Sequence, residues 1–125
     1  MRSLAALLLA ALFGGATPSG VAPPSGPVTV RLTNTLKFEP ASITIEAGTT
    51  VVWENTSALV HTVTDDPARA SVKGSQALPD RAAKFDSGQL EPDGAYRHTF
   101  KVRGTYRYFC VPHEGARMWG TVVVR

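Results

Sequence analysis

Apolar and polar side chains alternate along most of this chain, a period of two that is typical of β-strands with one buried face. Gly, Pro, Asn and Asp residues that favour tight turns separate the alternating segments. The alternation predicts strands at residues 28–32, 42–45, 49–53, 95–102 and 121–124, and a further strand-like run ends at residue 109. In that run Tyr106, Tyr108 and Cys110 share one face, which we expect to point into the core. Short strands at this spacing predict an all-β fold, a Greek-key β-sandwich of one domain.

The first residues have the pattern of a secretory signal peptide. A basic start that includes Arg2 precedes an apolar run from Leu4 to Phe13, and small residues up to Ala16 offer a cleavage site. An apolar run of about ten residues is too short to span a bilayer, which needs about twenty. We therefore expect export to a periplasm or the extracellular space. An uncleaved anchor or a core helix is the alternative explanation of this run.

Three parts are expected along the chain. Residues 1–16 form the signal peptide, residues 17–27 a Pro/Gly/Ser-rich linker, and residues 28–125 the folded domain. Within that domain, residues 65–84 are the least regular stretch, because they mix Pro67, Gly74 and Pro79 with charged residues. We expect a long surface excursion there, with either a helical turn at residues 68–72 or a mobile loop.

The charge of the chain is mildly positive. It has 13 basic and 10 acidic residues, so the formal charge of +3 becomes +2 (12 − 10) when Arg2 leaves with the signal peptide. The basic residues are spread singly between the strands, without interleaved aromatic residues. This distribution gives no support to nucleic-acid binding.

One short segment carries candidate metal chemistry. Cys110, His113 and Met118 place a thiolate, an imidazole and a thioether within nine consecutive residues. Soft thiolate and thioether ligands beside imidazole select copper over oxygen-seeking metals, and a thioether is a poor ligand for zinc. One Cys and two His with a distant axial Met form the electron-transfer type of copper site. The second histidine must come from elsewhere, and the sequence offers His61 and His98, of which His61 is the better candidate.

The use of cysteine supports a metal site. Cys110 is the only cysteine, so no intramolecular disulfide is possible. A free thiol in an oxidising compartment is a liability that a bound metal removes. A buried structural cysteine is the alternative, which the neighbouring His113 and Met118 disfavour. Since no cysteine precedes the linker, the mature protein is expected to have no lipid anchor and not to insert into a membrane.

These residues resemble the small blue copper proteins, or cupredoxins, and within them the plastocyanin-like branch. The segment from Tyr106 through Cys110 to His113 is similar to the family motif, and the four residues between His113 and Met118 match plastocyanins, whereas amicyanins have a shorter spacing. Upstream, residues 38–40, 43–48 and 51–55 are similar to the strands that lead to the first histidine of the family. The resemblance runs from about Val28 to Arg125.

The resemblance implies a type 1 copper protein that carries single electrons between redox partner proteins and is not an enzyme. It implies thiolate ligation by Cys110, equatorial imidazole ligation by His61 and His113, and a weak axial thioether from Met118. The exposed edge of His113 would be the exit of the electron. His98 has no counterpart as a ligand and is expected to be a solvated strand residue. We expect a monomer.

The chain departs from the plastocyanin pattern at several positions. Thr62, with a shorter side chain, replaces an asparagine that ties the ligand loops together, and Arg117 stands where glycine is usual. Phe109 replaces a surface tyrosine that docks partners of plant plastocyanins. Of their acidic surface clusters, only Asp65 and Asp66 remain.

Two other functions are weighed against the electron carrier. A protein that binds, buffers or delivers copper outside the cytoplasm could use the same ligands, but such proteins more often have Met-rich clusters, and this chain has two methionines. A copper oxidase or nitrite reductase needs a second, His-rich copper centre. The chain has three histidines, of which the best site uses two, so an enzyme is not expected.

Overall fold

The computed structural model describes residues 26–125, and the predicted signal peptide and most of the predicted linker lie outside this range. Within it, nearly all regular structure is β. The strands are β1 (Val28–Leu32), β2 (Phe38–Glu39), β3 (Ser42–Ile45), β4 (Thr49–Asn55), β5 (Ala95–Phe100), β6 (Gly104–Phe109) and β7 (Trp119–Val124). Two short 3₁₀ helices, Pro67–Arg69 and Val111–Ala116, lie between strands.

The strands form two mixed sheets. One has the order β2-β1-β4-β5 and the other the order β3-β7-β6. The β1–β4 and β3–β7 pairs are parallel and the remaining pairs are antiparallel. Parallel neighbours that are distant in the chain require crossovers between the sheets. The predicted fold class, an all-β Greek-key sandwich, is confirmed.

Three strand boundaries differ from the prediction. β4 continues to Asn55, because β1 provides a partner for each residue up to that point. β5 ends at Phe100 rather than at residue 102, because its partner β4 begins opposite it at Thr49. β7 begins at Trp119 rather than at residue 121, since Phe109 of β6 pairs with Trp119.

Gly120 shows why β7 and β6 can approach so closely. A Cβ atom at Gly120 would overlap the ring of Tyr108, which lies across its backbone. Tyr108 is fully buried and so are Tyr106 and Cys110, as the alternation predicts. The inward face of β6 therefore carries Cys110 to the end of the core.

Aromatic rings fill much of the space between the sheets. Trp53 is fully buried, and its ring centroid lies 5.4 Å from those of Phe85 and Tyr108. These separations lie in the range of favourable aromatic pairs. The ring of Phe38 meets Tyr108 edge-on at 4.7 Å, so a rigid aromatic core supports β6 below the cysteine.

The prediction of a solvated His98 is wrong. Its side chain is half-buried, and its ring centroid lies 4.7 Å from Phe85 and 4.8 Å from Phe100. Burial lowers its pKa, which favours a neutral ring. The cause is the alternation of β5, which puts His98 on the same face as Tyr96 and Phe100.

The irregular excursion at residues 65–84 is hydrogen-bonded to the sandwich. A helical turn occurs, but as the 3₁₀ helix Pro67–Arg69 rather than at residues 68–72, and the Asp66 side chain accepts from the Ala68 N–H at 3.0 Å. Ala77 forms a bridge with Arg107 of β6, and the guanidinium of Arg107 donates to the Gly74 carbonyl at 2.9 Å. The excursion therefore runs along the edge of β6.

Asp65 does not belong to the surface, so the expected acidic pair with Asp66 is wrong. Its side chain is fully buried, and Oδ1 accepts from the Phe85 N–H at 2.8 Å. Oδ2 has no hydrogen-bond partner. Burial raises the pKa of Asp65 to about 7. Phe109 is also fully buried, so it cannot take the place of a surface tyrosine.

No helix in residues 26–125 has both the length and the apolar character that a bilayer crossing requires.

Candidate metal centre

Three of the four predicted ligands lie together beyond the end of β6. The Sγ atom of Cys110 lies 3.6 Å from Nδ1 of His61 and 3.4 Å from Nδ1 of His113. All three donor atoms lie within 4.8 Å of one another. Cys110 and His61 are fully buried, whereas His113 is partly exposed. The cluster thus has an enclosed side and a side open to solvent.

His61 is oriented by the segment that follows β4. Its backbone exchanges two hydrogen bonds with Leu90, at 3.1 and 2.7 Å. Its ring Nε2 lies 3.2 Å from the carbonyl oxygen of Thr33. A carbonyl can only accept, so this contact assigns the proton to Nε2 and leaves Nδ1 free toward Cys110. The ring is therefore prepared as a neutral ligand.

Asn55 shapes the same segment, a role that the sequence did not reveal. Its buried amide donates to the carbonyls of Leu59 at 2.7 Å and Leu90 at 2.9 Å. Its Oδ1 accepts from both the N–H and the hydroxyl of Ser57. With all these partners, Asn55 closes the turn after β4 and fixes the approach to His61.

Thr62 joins the His61 segment to the ligand loop in spite of its short side chain. Its N–H lies 3.3 Å from the Cys110 sulfur, and its hydroxyl accepts from the Val111 N–H at 2.7 Å. One bond reaches the Cys110 side chain, and the other reaches the backbone of Val111, the next residue. The threonine therefore ties the loops together where plastocyanins use an asparagine.

The loop from Cys110 to Met118 is closed by its own backbone. The Cys110 N–H donates to the Met118 carbonyl at 3.0 Å, and the Met118 N–H donates to the His113 carbonyl at 3.2 Å. The Met118 side chain is fully buried. Met118 is thus linked to both loop ligands, and its role as the axial ligand stays a prediction.

Arg117 takes the backbone conformation that a glycine would favour. Its φ of 59° and ψ of 36° lie in the left-handed region, which costs about 1 kcal/mol for a residue with a Cβ atom. Its guanidinium carbon lies 5.6 Å from the centre of the Trp119 ring. A cation–π contact of this kind contributes about 0.5–1 kcal/mol at an exposed site and offsets the strain.

Glu114 connects the ligand loop to the excursion, and sequence analysis missed it. Its buried carboxylate accepts from the N–H groups of Ser71 and Val72 at 3.0–3.1 Å and from the Ser75 hydroxyl at 2.7 Å. Its backbone carbonyl accepts from the Trp119 indole at 3.1 Å. Because Glu114 follows His113 directly, these bonds hold the loop next to a ligand.

Burial favours a neutral Cys110 thiol and a neutral His61 ring before a metal binds. Burial raises the pKa of the Cys110 thiol, although the Thr62 N–H opposes this change. Burial and the nearby His113 ring lower the pKa of His61. A bound cation would reverse the balance at the Cys110 thiol, because a coordinating thiol is deprotonated. The site is therefore built to gain its negative charge together with a metal.

The two sulfur–nitrogen separations fit ligands of one metal ion. Metal bonds of about 2.0 Å to imidazole nitrogen and about 2.3 Å to thiolate sulfur, opened by 109–120°, separate the two ligand atoms by about 3.5–3.7 Å. The observed separations of 3.4 and 3.6 Å are close to these values. A thiolate and two imidazoles, with the methionine of the same loop as the predicted axial ligand, are the ligand types that suit copper.

Comparisons with known proteins agree with this chemistry. The family model for copper binding proteins of the plastocyanin/azurin family matches residues 27–125. A plastocyanin of Scenedesmus fuscus is 39% identical over 101 residues, which are 78% of this chain and 99% of that protein. A chloroplastic plastocyanin of Tetradesmus obliquus is 37% identical over 92 residues, 72% of this chain and 59% of that protein.

Solved structures give the same result. A Cu(I) form of an amicyanin mutant superposes with a TM-score of 0.61 at 32% identity, and the match covers 84% of this chain and 86% of that one. This chain therefore belongs to the plastocyanin/azurin family of copper-binding proteins.

Proposed function

We propose that this protein is a one-electron carrier whose type 1 copper site is formed by His61, Cys110, His113 and Met118. The observation that carries the proposal is the convergence of His61, Cys110 and His113 at distances that suit one metal ion. Bound copper would supply a centre that alternates between Cu(I) and Cu(II).

The surroundings of these ligands suit fast electron exchange. Any atom that moves between the two oxidation states adds to the barrier, so the ligands should be held in place by the fold. Thr33 fixes the His61 ring, Thr62 fixes the cysteine segment, and Glu114 fixes the loop beyond His113. Met118, as a weak axial ligand, would tune the potential.

We infer a carrier rather than an enzyme, working outside the cytoplasm with redox partner proteins. The chain has three histidines, too few for the second His-rich centre of copper oxidases. The location rests on the signal-like sequence of residues 1–16 and the linker of residues 17–27, which precede the domain of residues 28–125. A monomeric state stays a prediction.

The test is the visible and electron paramagnetic resonance spectrum of the purified protein during titration with Cu(II). We expect an intense blue thiolate-to-copper band and a narrow copper hyperfine splitting that reach their maximum at one equivalent. The Cys110→Ser variant should lose both, and the matched His98→Gln variant should keep both. A pale, tetragonal signal in the wild type would contradict the carrier and favour copper buffering or delivery.

A further inference from the structure

We propose that an acidic redox partner protein docks on one surface beside the metal centre, here named the Trp119 face. It consists of Val72, Lys73, Arg107, Arg117 and Trp119. This inference rests on the proposed function, because it names the class of partner that the copper site would serve.

The Trp119 face is one continuous surface. Gly74 lies at its middle, because a Cβ atom built there would lie 4.0 Å from the Trp119 ring. The Arg107 guanidinium donates to the Gly74 carbonyl, and the Arg117 guanidinium lies over Trp119 at 5.6 Å. Lys73 is exposed and precedes Gly74 in the chain.

An apolar centre accompanies these cations. Among the described residues, only Leu59 and Val72 are large hydrophobic residues with exposed side chains, and Val72 is 37% exposed. Trp119 is partly exposed. Apolar and aromatic residues at the centre with arginine around them are typical of protein interfaces. The composition of the face is therefore that of a docking surface.

The positive charge of the face is only partly compensated by nearby acidic residues. In the described residues, Lys73, Arg107 and Arg117 form no ion pair, whereas Arg69 and Lys84 of the excursion pair with Asp86 and Asp66. Strands β3, β6 and β7 contain no acidic residue. Counting the buried Glu114 carboxylate, three cations and one anion leave a net charge of +2. The complementary partner is an acidic surface.

The face is connected to the proposed ligands by short paths. The Trp119 indole and the Val72 N–H both donate to Glu114, at 3.1 Å each. Glu114 is bonded covalently to His113, and Trp119 to Met118. A partner on this face would thus be linked to Met118 through one peptide unit, and to His113 through one hydrogen bond followed by the covalent bonds of Glu114.

A protein partner fits this surface better than a membrane. Attraction to anionic lipid usually depends on clusters of about four to eight Lys or Arg residues, and the face has three. Trp119 is half-buried, and Arg107 is held by its hydrogen bond to the Gly74 carbonyl. These two side chains therefore offer a fixed geometry for contact with a protein. The test must therefore distinguish binding to a protein partner from binding to an anionic lipid surface.

The test compares two double charge reversals with the same change in net charge. Lys73→Glu/Arg117→Glu alters the Trp119 face, and Arg97→Glu/Lys101→Glu alters exposed basic residues on and beside β5, in the other sheet. The probe is a gold electrode coated with a carboxylate-terminated alkanethiol. A quartz microbalance measures the adsorption of the metal-free protein, and voltammetry measures the interfacial electron-transfer rate of the copper form.

At about 10 mM ionic strength, both quantities should fall about tenfold or more in the face variant and less than about threefold in the control. The difference should shrink in about 0.5 M salt, where screening is strong. Equal losses in the two variants, or none in the face variant, would overturn the inference. If charge reversal unfolds the face variant, Lys73→Gln/Arg117→Gln is compared with Arg97→Gln/Lys101→Gln, which again matches the change in net charge.

Two further measurements separate the causes of failure. A hydroxyl-coated electrode measures the copper redox couple without charge attraction. If the wild type shows no redox couple on this electrode, both the proposed function and the inference are overturned. A normal couple without dependence on the face would overturn only the docking surface. Sedimentation with vesicles of phosphatidylcholine and phosphatidylserine should show no binding that depends on the Trp119 face. If the wild type binds the vesicles and the face variant does not, the face binds lipid instead of a protein.

Discussion

Replacement of Glu114 is the most informative single change, because this residue joins the ligand loop to the excursion. Its carboxylate accepts from three donors, the N–H groups of Ser71 and Val72 and the hydroxyl of Ser75. Glu114→Ala removes all three acceptor contacts, and Glu114→Gln keeps one oxygen. We expect both variants to be less stable than the wild type and to disturb the loop that follows His113.

The magnitude follows from the surroundings of each donor. A hydrogen bond to a charged group contributes about 1.5–3 kcal/mol, and we assign the upper part of that range to Ser75, which is fully buried. Ser71 and Val72 are exposed, so water can replace the carboxylate and each bond contributes about 0.5 kcal/mol. Glu114→Ala should thus lower the free energy of unfolding by about 3–4 kcal/mol, and Glu114→Gln by about half as much.

The pH dependence gives a second readout. Burial acts to raise the pKa of Glu114, but hydrogen bonds from Ser75, Val72 and Ser71 outweigh it, and the pKa is lowered overall. A carboxyl with a lowered pKa in the folded state stabilises the protein above its unfolded-state pKa, and this stability is lost as the pH falls through the folded-state pKa. Between about pH 6 and pH 3, the wild type should therefore lose more stability than Glu114→Gln.

Urea unfolding of the metal-free protein, followed by circular dichroism, measures both effects. The matched control is Glu91→Gln, which changes the same group at an exposed position and should leave the free energy of unfolding within about 0.5 kcal/mol of the wild type. In the copper form, Glu114→Gln should also alter the electron paramagnetic resonance hyperfine splitting. Wild-type stability and an unchanged acid profile in Glu114→Gln would refute the reasoning.

Two further predictions concern the other buried polar contacts. Thr62→Val removes the acceptor of the Val111 N–H and should lower the free energy of unfolding, measured in urea, by about 1–2 kcal/mol. Thr62→Ser keeps the hydroxyl and should retain most of that free energy. Equal stability of the wild type and both variants would contradict the role of Thr62 in joining the loops. The raised pKa of Asp65, about 7, means that its stabilising contribution is complete below its unfolded-state pKa and is lost as the pH rises toward 7. Besides burial, Asp66 also raises the pKa of this carboxyl, whereas the Phe85 N–H and Lys84 lower it. Stability of Asp65→Asn should therefore fall less than that of the wild type between about pH 4 and pH 8 by urea unfolding, and parallel profiles would show that Asp65 is not buried as a neutral acid.

The fold and most of the metal cluster could be predicted because their signals are local. Alternation in β6 fixes which side of the strand Tyr106, Tyr108 and Cys110 occupy, and burial of all three follows from it. The ligand loop is contiguous, so Cys110 and His113 must come close whatever the rest of the chain does. His61 depended on the resemblance to cupredoxins, since spacing alone left His98 open.

The missed or wrong predictions concern side chains that contact groups distant in the sequence. Ser75 lies 39 residues from Glu114 in the sequence, in a stretch without a periodic pattern, so no local sequence pattern predicts their contact. Asp65 looks like a surface residue beside Asp66 until the Phe85 N–H is placed next to it. His98 is different: the alternation of β5 could have placed it beside Tyr96 and Phe100, but the expectation rested on its lack of a counterpart among the family ligands.

The ligand loop is held from two independent directions, and this explains how the departures from the plastocyanin pattern are tolerated. On the side of His61, the Thr62 hydroxyl binds the Val111 N–H; on the side of the excursion, Glu114 binds Ser71, Val72 and Ser75. With the loop fixed at both ends, Arg117 can remain in a left-handed conformation, because the strain of about 1 kcal/mol is small beside the bonds that flank it. The Glu114 carboxylate also holds Val72, and its backbone carbonyl accepts from the Trp119 indole, so the geometry of the metal ligands and of the proposed docking face depends on one residue.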